Sequence, residues 1–296
     1  MQSVSSLLLV LLPLLRCHIA AALTCIQPQS QSNEEDLVKL LFFKEKLHGT
    51  YVELGGFNGF TYSNTLSLHT CQQWNGLLVE GNPSNYKEML HNIQKYRPDL
   101  QQKFWGAVCK TKGTVQFRTT GGLVSGDMNH VDETFQQQWW HKRVGDKGNR
   151  TIIFDNATTA VSCSPMQFYL ESLRDPITKH IHIDFFSLDI EGAELIALES
   201  IDFSATTIDI FVIELDKFKK NRNKGVRSLL KGQGYTECNR FRKLIRGGLF
   251  VREKSGYHCP GGEMTDHQIC SGMNLQDGRL RDRTVCKKRL IPVSVT

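Results

Sequence analysis

Four short apolar runs, each closing on an acid, constrain this chain more than any other feature. They end at Glu53, Glu80, Asp189 and Glu214. Near-continuous apolar runs are strands buried on both faces, the condition of a sheet held between helices. Helical patterns separate them, over residues 62–70, 83–96, 166–173, 194–200 and 226–233, with Pro83 at a first turn. This alternation predicts an α/β chain on a mostly parallel, three-layer sheet. Residues 104–109 and 113–119 read as further strands paired in a hairpin, and 235–239 with 244–251 as a closing antiparallel pair.

In an open α/β sheet, ligands bind beyond the carboxyl ends of the strands. After the first run the chain reads Tyr51-Val-Glu-Leu-Gly-Gly-Phe-Asn-Gly59. Gly55 and Gly56 can take positive φ and bring their N–H groups against a ligand, and Gly59 completes the turn. Glu53 can accept from an ammonium, and the helix that follows offers N–H groups to a carboxylate. A cofactor carrying an amino acid needs both. Glu80, in Val79-Glu-Gly-Asn-Pro83, can take both hydroxyls of a ribose, with Asn82 beside it. The order ExGGxxG departs from the GxGxxG of dinucleotide sites, which disfavours a nicotinamide cofactor.

The third run continues into Ser187-Leu-Asp-Ile-Glu-Gly-Ala-Glu194. Asp189 and Glu191 stand where a strand gives way to a helix. They suit a base with its orienting partner, or two ligands of a hard cation. Glu194 reads as a helix-start acid, and Glu214 can face the same cleft. No metal set is assigned: none of the nine cysteines forms a CxxC pair, so a zinc knuckle is disfavoured.

Residues 1–22 read as a secretory signal peptide, with the apolar run Leu7-Leu-Leu-Val-Leu-Leu-Pro-Leu-Leu15 ahead of Ala20-Ala21-Ala22. That run is too short for a stable membrane span. Cys17 leaves with the signal, and an even set of cysteines remains, as a disulfide framework in an oxidising compartment requires. Asn149-Arg-Thr151 and Asn156-Ala-Thr158 are glycosylation sequons. The net charge of +6 gathers in basic clusters at 217–227, 240–246 and 279–289. In a secreted chain these suit an anionic surface or a solvated face rather than nucleic acid. An N-terminal helical segment is expected at 23–49, with Asn33 capping a helix over 33–47. A polar insertion at 121–156 suits a lid or substrate loop, where Trp139 and Trp140 could stack on a sugar. A Cys-rich extension is expected at 254–296.

The segments Val52-Glu-Leu-Gly, Asn58-Gly-Phe-Thr-Tyr-Ser-Asn-Thr65, Trp74-Asn-Gly-Leu-Leu-Val-Glu-Gly-Asn-Pro83, Ser187-Leu-Asp-Ile-Glu-Gly-Ala-Glu194 and Val212-Ile-Glu214 occur in that order. This pattern resembles the FkbM family of S-adenosylmethionine-dependent methyltransferases, over roughly residues 50–253. The resemblance implies a class I methyltransferase (Rossmann-like) three-layer sandwich that methylates hydroxyl groups of sugars or small molecules. It implies that Glu53, Gly55 and Gly59 line the methionine end of S-adenosyl-L-methionine, that Glu80 binds its ribose, and that Asp189 and Glu191 lie by the transferred methyl. Many bacterial members carry Lys where Ser187 stands here. A binding protein on the same scaffold is the competing reading.

Overall fold

A computed structural model describes residues 24–119, 125–128, 141–144, 151–154, 157–215, 219–245, 247–261 and 268–269. The strands are β1 (Thr50–Leu54), β2 (Asn75–Glu80), β3 (Gln102–Trp105), β4 (Ala107–Val108), β5 (Gly113–Arg118), β6 (Gly126–Asp127), β7 (His141–Val144), β8 (Thr151–Phe154), β9 (Thr158–Ser164), β10 (Ile181–Leu188), β11 (Thr206–Glu214), β12 (Tyr235–Glu237) and β13 (Gly247–Arg252). The main sheet has seven strands in the order β12-β13-β11-β10-β1-β2-β3. From β3 across to β11 every pairing is parallel. Only β13 runs against its neighbours, β11 and β12. This is the expected mostly parallel sheet with a closing antiparallel strand.

The buried strands feed two cores, because successive side chains leave opposite faces of a sheet. Val52 and Leu54 join one core with Ile183, Phe211 and the helices Met166–Leu170, Glu194–Glu199 and Lys220–Gly232. Tyr51 joins the other with Phe185, Ile210, the N-terminal residues Leu37 and Phe43, and helices Leu66–Gln72 and Pro83–Tyr96. The result is three layers.

The expected hairpin between the third strand and residues 113–119 does not form. Residues 102–108 split at Gly106, so that β3 extends the main sheet while β4 joins a second sheet ordered β4-β9-β5-β6. A Cβ at Gly106 would lie 2.4 Å from the Tyr169 hydroxyl, so only glycine fits where the chain changes sheets. The 121–156 insertion is partly regular: β6 pairs with β5, and β7 with β8 as an antiparallel pair. The sequon asparagines Asn149 and Asn156 and the two tryptophans lie outside the described residues, as do the signal segment, Cys270 and Cys286.

The N-terminal helix is shorter than expected. It runs Glu34–Val38 and continues as a π-turn over Lys39–Phe43. Asn33 does not cap it: a cap needs extended backbone, and Asn33 is left-handed at φ 64°. Ser30 Oγ instead accepts the Glu35 N–H at 2.9 Å. Disulfides join Cys25–Cys71, Cys109–Cys163 and Cys238–Cys259. The first ties the N-terminal segment to helix Leu66–Gln72; the last ties the start of the C-terminal extension to the end of β12.

Candidate functional site

The parallel register brings the four strand-end acids to one edge of the sheet. Leu54 pairs with Val79 on one side and Leu188 on the other, and Leu188 pairs with Ile213. Glu80, Asp189 and Glu214 each come one residue after those partners, and Glu53 one residue before Leu54.

Glu53 is buried, and its carboxylate is committed to its own chain. It accepts from Asn64 N–H (2.7 Å), Ser63 Oγ (2.8 Å) and Thr65 Oγ1 (2.6 Å). Behind it lies Arg97, fully buried, with Nη2 3.8 Å from Glu53 Oε2 and further bonds to Tyr51 and Thr65. Helix Leu66–Gln72 therefore starts later than the sequence suggests, because Ser63, Asn64 and Thr65 are held by Glu53 in a turn. Its first turn is also partly claimed: the Leu68 N–H donates to Glu35 Oε1 at 2.7 Å. The Asn64 and Leu68 N–H groups are thus engaged inside the protein rather than held out to a ligand.

The glycine turn differs from expectation in one respect. Gly55 (φ +85°) and Gly59 (φ +68°) are left-handed, but Gly56 is not; Phe57 takes that role at φ 46°. The Gly55 and Gly56 N–H groups both donate to the Val79 carbonyl, at 3.0 and 3.1 Å. The turn thus folds back onto β2 and spends its donors there. What Gly55 supplies is close approach: a Cβ there would lie 1.7 Å from the Asp189 carbonyl oxygen.

Glu80 is also buried. Its two oxygens accept the N–H groups of Phe57 (2.8 Å) and Asn82 (2.7 Å). Burial pushes its pKa up to about 7, and these hydrogen bonds limit the rise. Asn82 caps helix Pro83–Tyr96, its Oδ1 accepting from Ser84 N–H at 2.9 Å, and its amide donates to the Thr119 carbonyl. The Asn85 side chain and the Gly81 backbone also bond to Glu80, so the carboxyl is held firmly at the end of β2.

Asp189, Glu191 and Glu214 form a second group. A carboxylate oxygen from each lies within 4.8 Å of the others, a spacing that a hard cation could bridge. Asp189 and Glu214 thus stand side by side at the ends of neighbouring strands. Burial and the neighbouring acids push the pair up: Asp189 to about 6, and Glu214 well above the ordinary range. The loop between them is fixed by Glu194, which is fully buried. One of its oxygens accepts the Gly192 N–H at 3.0 Å, and the other pairs with Arg222 at 2.7 Å. Glu191 itself is left-handed at φ 56°, and Lys219 Nζ holds its carbonyl at 3.0 Å.

A cleft of about 350 Å³, counted out to its open mouth, lies against this group. Asn64, Ser187, Asp189 and Glu214 line it, with Gln31 and Glu34 from the N-terminal segment. Sequence reading did not single out Asn64, Gln31 or Glu34. Asn64 Nδ2 donates to Ser187 Oγ at 2.9 Å, while its Oδ1 is buried with no hydrogen-bond partner among the described residues. A second His/Asp group, His182, Asp184 and Asp209, sits at the opposite end of the strands, and its acids are paired with Lys46 and Arg252.

Residues 49–237 match the sequence pattern of the methyltransferase FkbM domain. The chain belongs to the FkbM methyltransferase family. The FkbM match ends at β12, one strand short of the sheet's full extent. Two solved methyltransferases overlap the chain loosely. A precorrin-6y C5,15-methyltransferase from Geobacter metallireducens GS-15 is 9% identical, with a TM-score of 0.36, covering 69% of this chain and 70% of its own. The METTL16 MTase domain is 13% identical, also with a TM-score of 0.36, covering 72% and 62% respectively. No curated protein matches the chain. Among the described residues, no helix is long and apolar enough to cross a membrane.

The basic clusters of this FkbM chain are partly neutralised within the fold. Arg227 and Arg242 both pair with Glu237, at 2.9 and 2.7 Å, and Arg222 with Glu194. The residues around the cleft fit a cofactor with a cationic end. Carboxylates gather at one place, the Asn64 side-chain Oδ1 lacks a donor among the described residues, and the glycine turn clears the backbone beside Asp189.

Proposed function

We propose that this chain is an S-adenosyl-L-methionine-dependent O-methyltransferase acting on a hydroxyl of a glycan or small molecule in the secretory pathway. The observation that carries the reading is the Asp189–Glu214 carboxyl pair at the cleft of an FkbM domain. When bound, the cofactor supplies an electrophilic methyl group. Glu80, held at the end of β2, binds the ribose hydroxyls, with Asn82 fixing the loop beside it. Glu53 acts through the turn it anchors, presenting Asn64, whose unpaired Oδ1 takes an ammonium. Gly55, Gly56 and Gly59 keep the backbone clear where the cofactor runs past β1.

Asp189 accepts the proton of the acceptor hydroxyl as the oxygen attacks, and Glu191 flanks it from the loop. The remaining task is positioning, since holding the oxygen in line with the reacting carbon removes most of the entropic barrier. The three disulfides support an oxidising compartment. Transfer of labelled methyl from S-adenosylmethionine to a panel of neutral glycosides tests the assignment. Asp189→Asn should lower transfer by about a hundredfold or more, the usual worth of a general base, while cofactor binding persists. Undiminished transfer by that variant would remove Asp189 from the role.

A further inference from the structure

A cofactor with an amino-acid end brings an ammonium and a carboxylate, and each needs a partner in the protein. Glu53 is not placed to be that partner directly. Its carboxylate is filled by Ser63, Asn64 and Thr65, with Arg97 behind it. The Asn64 and Leu68 N–H groups are likewise spent within the chain. The cleft shows where other partners stand. Together with Asn64 it is lined by Gln31 and Glu34, from a segment that precedes the matched FkbM region.

That segment is a strap fastened on both sides of these two residues. Upstream, the Cys25–Cys71 disulfide and the bond from Ile26 N–H to Thr70 Oγ1 (3.0 Å) hold it to helix Leu66–Gln72. Downstream, Leu37, Val38 and Phe43 are buried in the core, and Glu35 Oε1 accepts the Leu68 N–H. Between the two anchors Ser30 bridges to Tyr62, just ahead of the turn that presents Asn64. The Ser32 N–H donates to Glu34 Oε2 at 2.8 Å and so orders the carboxylate at the cleft. A side chain already ordered gives up little further freedom on binding.

We propose that this strap completes the cofactor site. Glu34 is the counter-charge for the ammonium that Asn64 Oδ1 also takes, and Gln31 donates its amide to the same amino-acid end. The assignment holds only if the cleft takes S-adenosylmethionine, as in the methyl-donor reading above. The amino-acid end is then read by residues outside the matched FkbM region, while the ends of β1 and β2 read the nucleoside.

Two neutral thioethers isolate that end. S-adenosylhomocysteine carries it, and 5′-methylthioadenosine has the same nucleoside without it. Calorimetric titration of the full chain with each should show S-adenosylhomocysteine bound tighter by about tenfold or more, the worth of a charge-assisted contact. Glu34→Gln should lose about tenfold for S-adenosylhomocysteine and less than about twofold for 5′-methylthioadenosine. Gln31→Ala should show the same selectivity with a smaller loss, and it carries the test if the first variant fails to fold; both side chains are only half-buried. Unchanged affinity for S-adenosylhomocysteine in the variants would overturn the proposal and leave the cofactor reading intact. Equal losses for the two compounds would also overturn it, since they would mark a structural role. Absence of heat from both compounds and from S-adenosylmethionine with the wild-type chain would overturn the cofactor reading and the proposal with it.

Discussion

Glu53 and Glu80 end neighbouring strands, as do Asp189 and Glu214, yet the two pairs live differently. Glu53 accepts three hydrogen bonds from the turn at residues 63–65, and Glu80 accepts two backbone N–H groups. Asp189 and Glu214 have each other, with more acids around them. Glu53, supplied with donors by its own turn, is committed to architecture. Asp189 and Glu214, left facing each other at the cleft, are placed for chemistry. The strand ends are alike in sequence; what separates them is the donors that fold around them.

The contrast should be sharpest in stability. Glu53→Ala removes the acceptor of three bonds and leaves Arg97 buried without its counter-charge, which should cost about 3–5 kcal/mol in urea unfolding. A loss below about 1 kcal/mol would mean that the turn stands without it.

Next comes the response to pH. Glu35, fully buried with one oxygen unpartnered among the described residues, is pushed up to about 8 by burial, Glu80 to about 7 and Asp189 to about 6. Each holds its proton in the folded state at pH values where the unfolded chain has lost it. The stability they contribute is fully present below the unfolded carboxylate range and is lost as pH rises toward 8. His182, raised by Asp209, works in the same direction. His69, lowered by burial, opposes it. The urea midpoint should therefore fall between pH 5 and pH 8, and Glu35→Gln should flatten the slope. A midpoint that climbs across this range would contradict the buried-carboxyl account.

The smallest change is expected on the other side of the comparison. Glu214→Gln keeps a neutral donor toward Asp189 and removes a carboxyl that folding had to desolvate. Stability should shift by less than about 1 kcal/mol in the same urea measurement. A penalty as large as that of Glu53→Ala would erase the distinction between the pairs.

Much of the sheet was legible because buried parallel strands write themselves as apolar runs, and because Pro83 marks a helix start by local chemistry. The acids at the strand ends were visible for the same reason. What each acid does was not, because its partners come from elsewhere in the chain. Arg97 reaches Glu53 from the far end of helix Pro83–Tyr96. Glu35 reaches Leu68 from the N-terminal segment, and Gln31 and Glu34 reach the cleft from the same place. No local pattern announces such meetings. The split of residues 102–108 between two sheets was hidden likewise, since the Gly106–Tyr169 contact that fixes it joins distant segments.

The most direct measurement is calorimetric titration of the purified chain with S-adenosylmethionine. The account predicts saturable heat at one site per chain, persisting in Asp189→Asn. A flat titration at high ligand concentration would contradict it, and would leave the carboxyl pair without the cofactor it is proposed to serve.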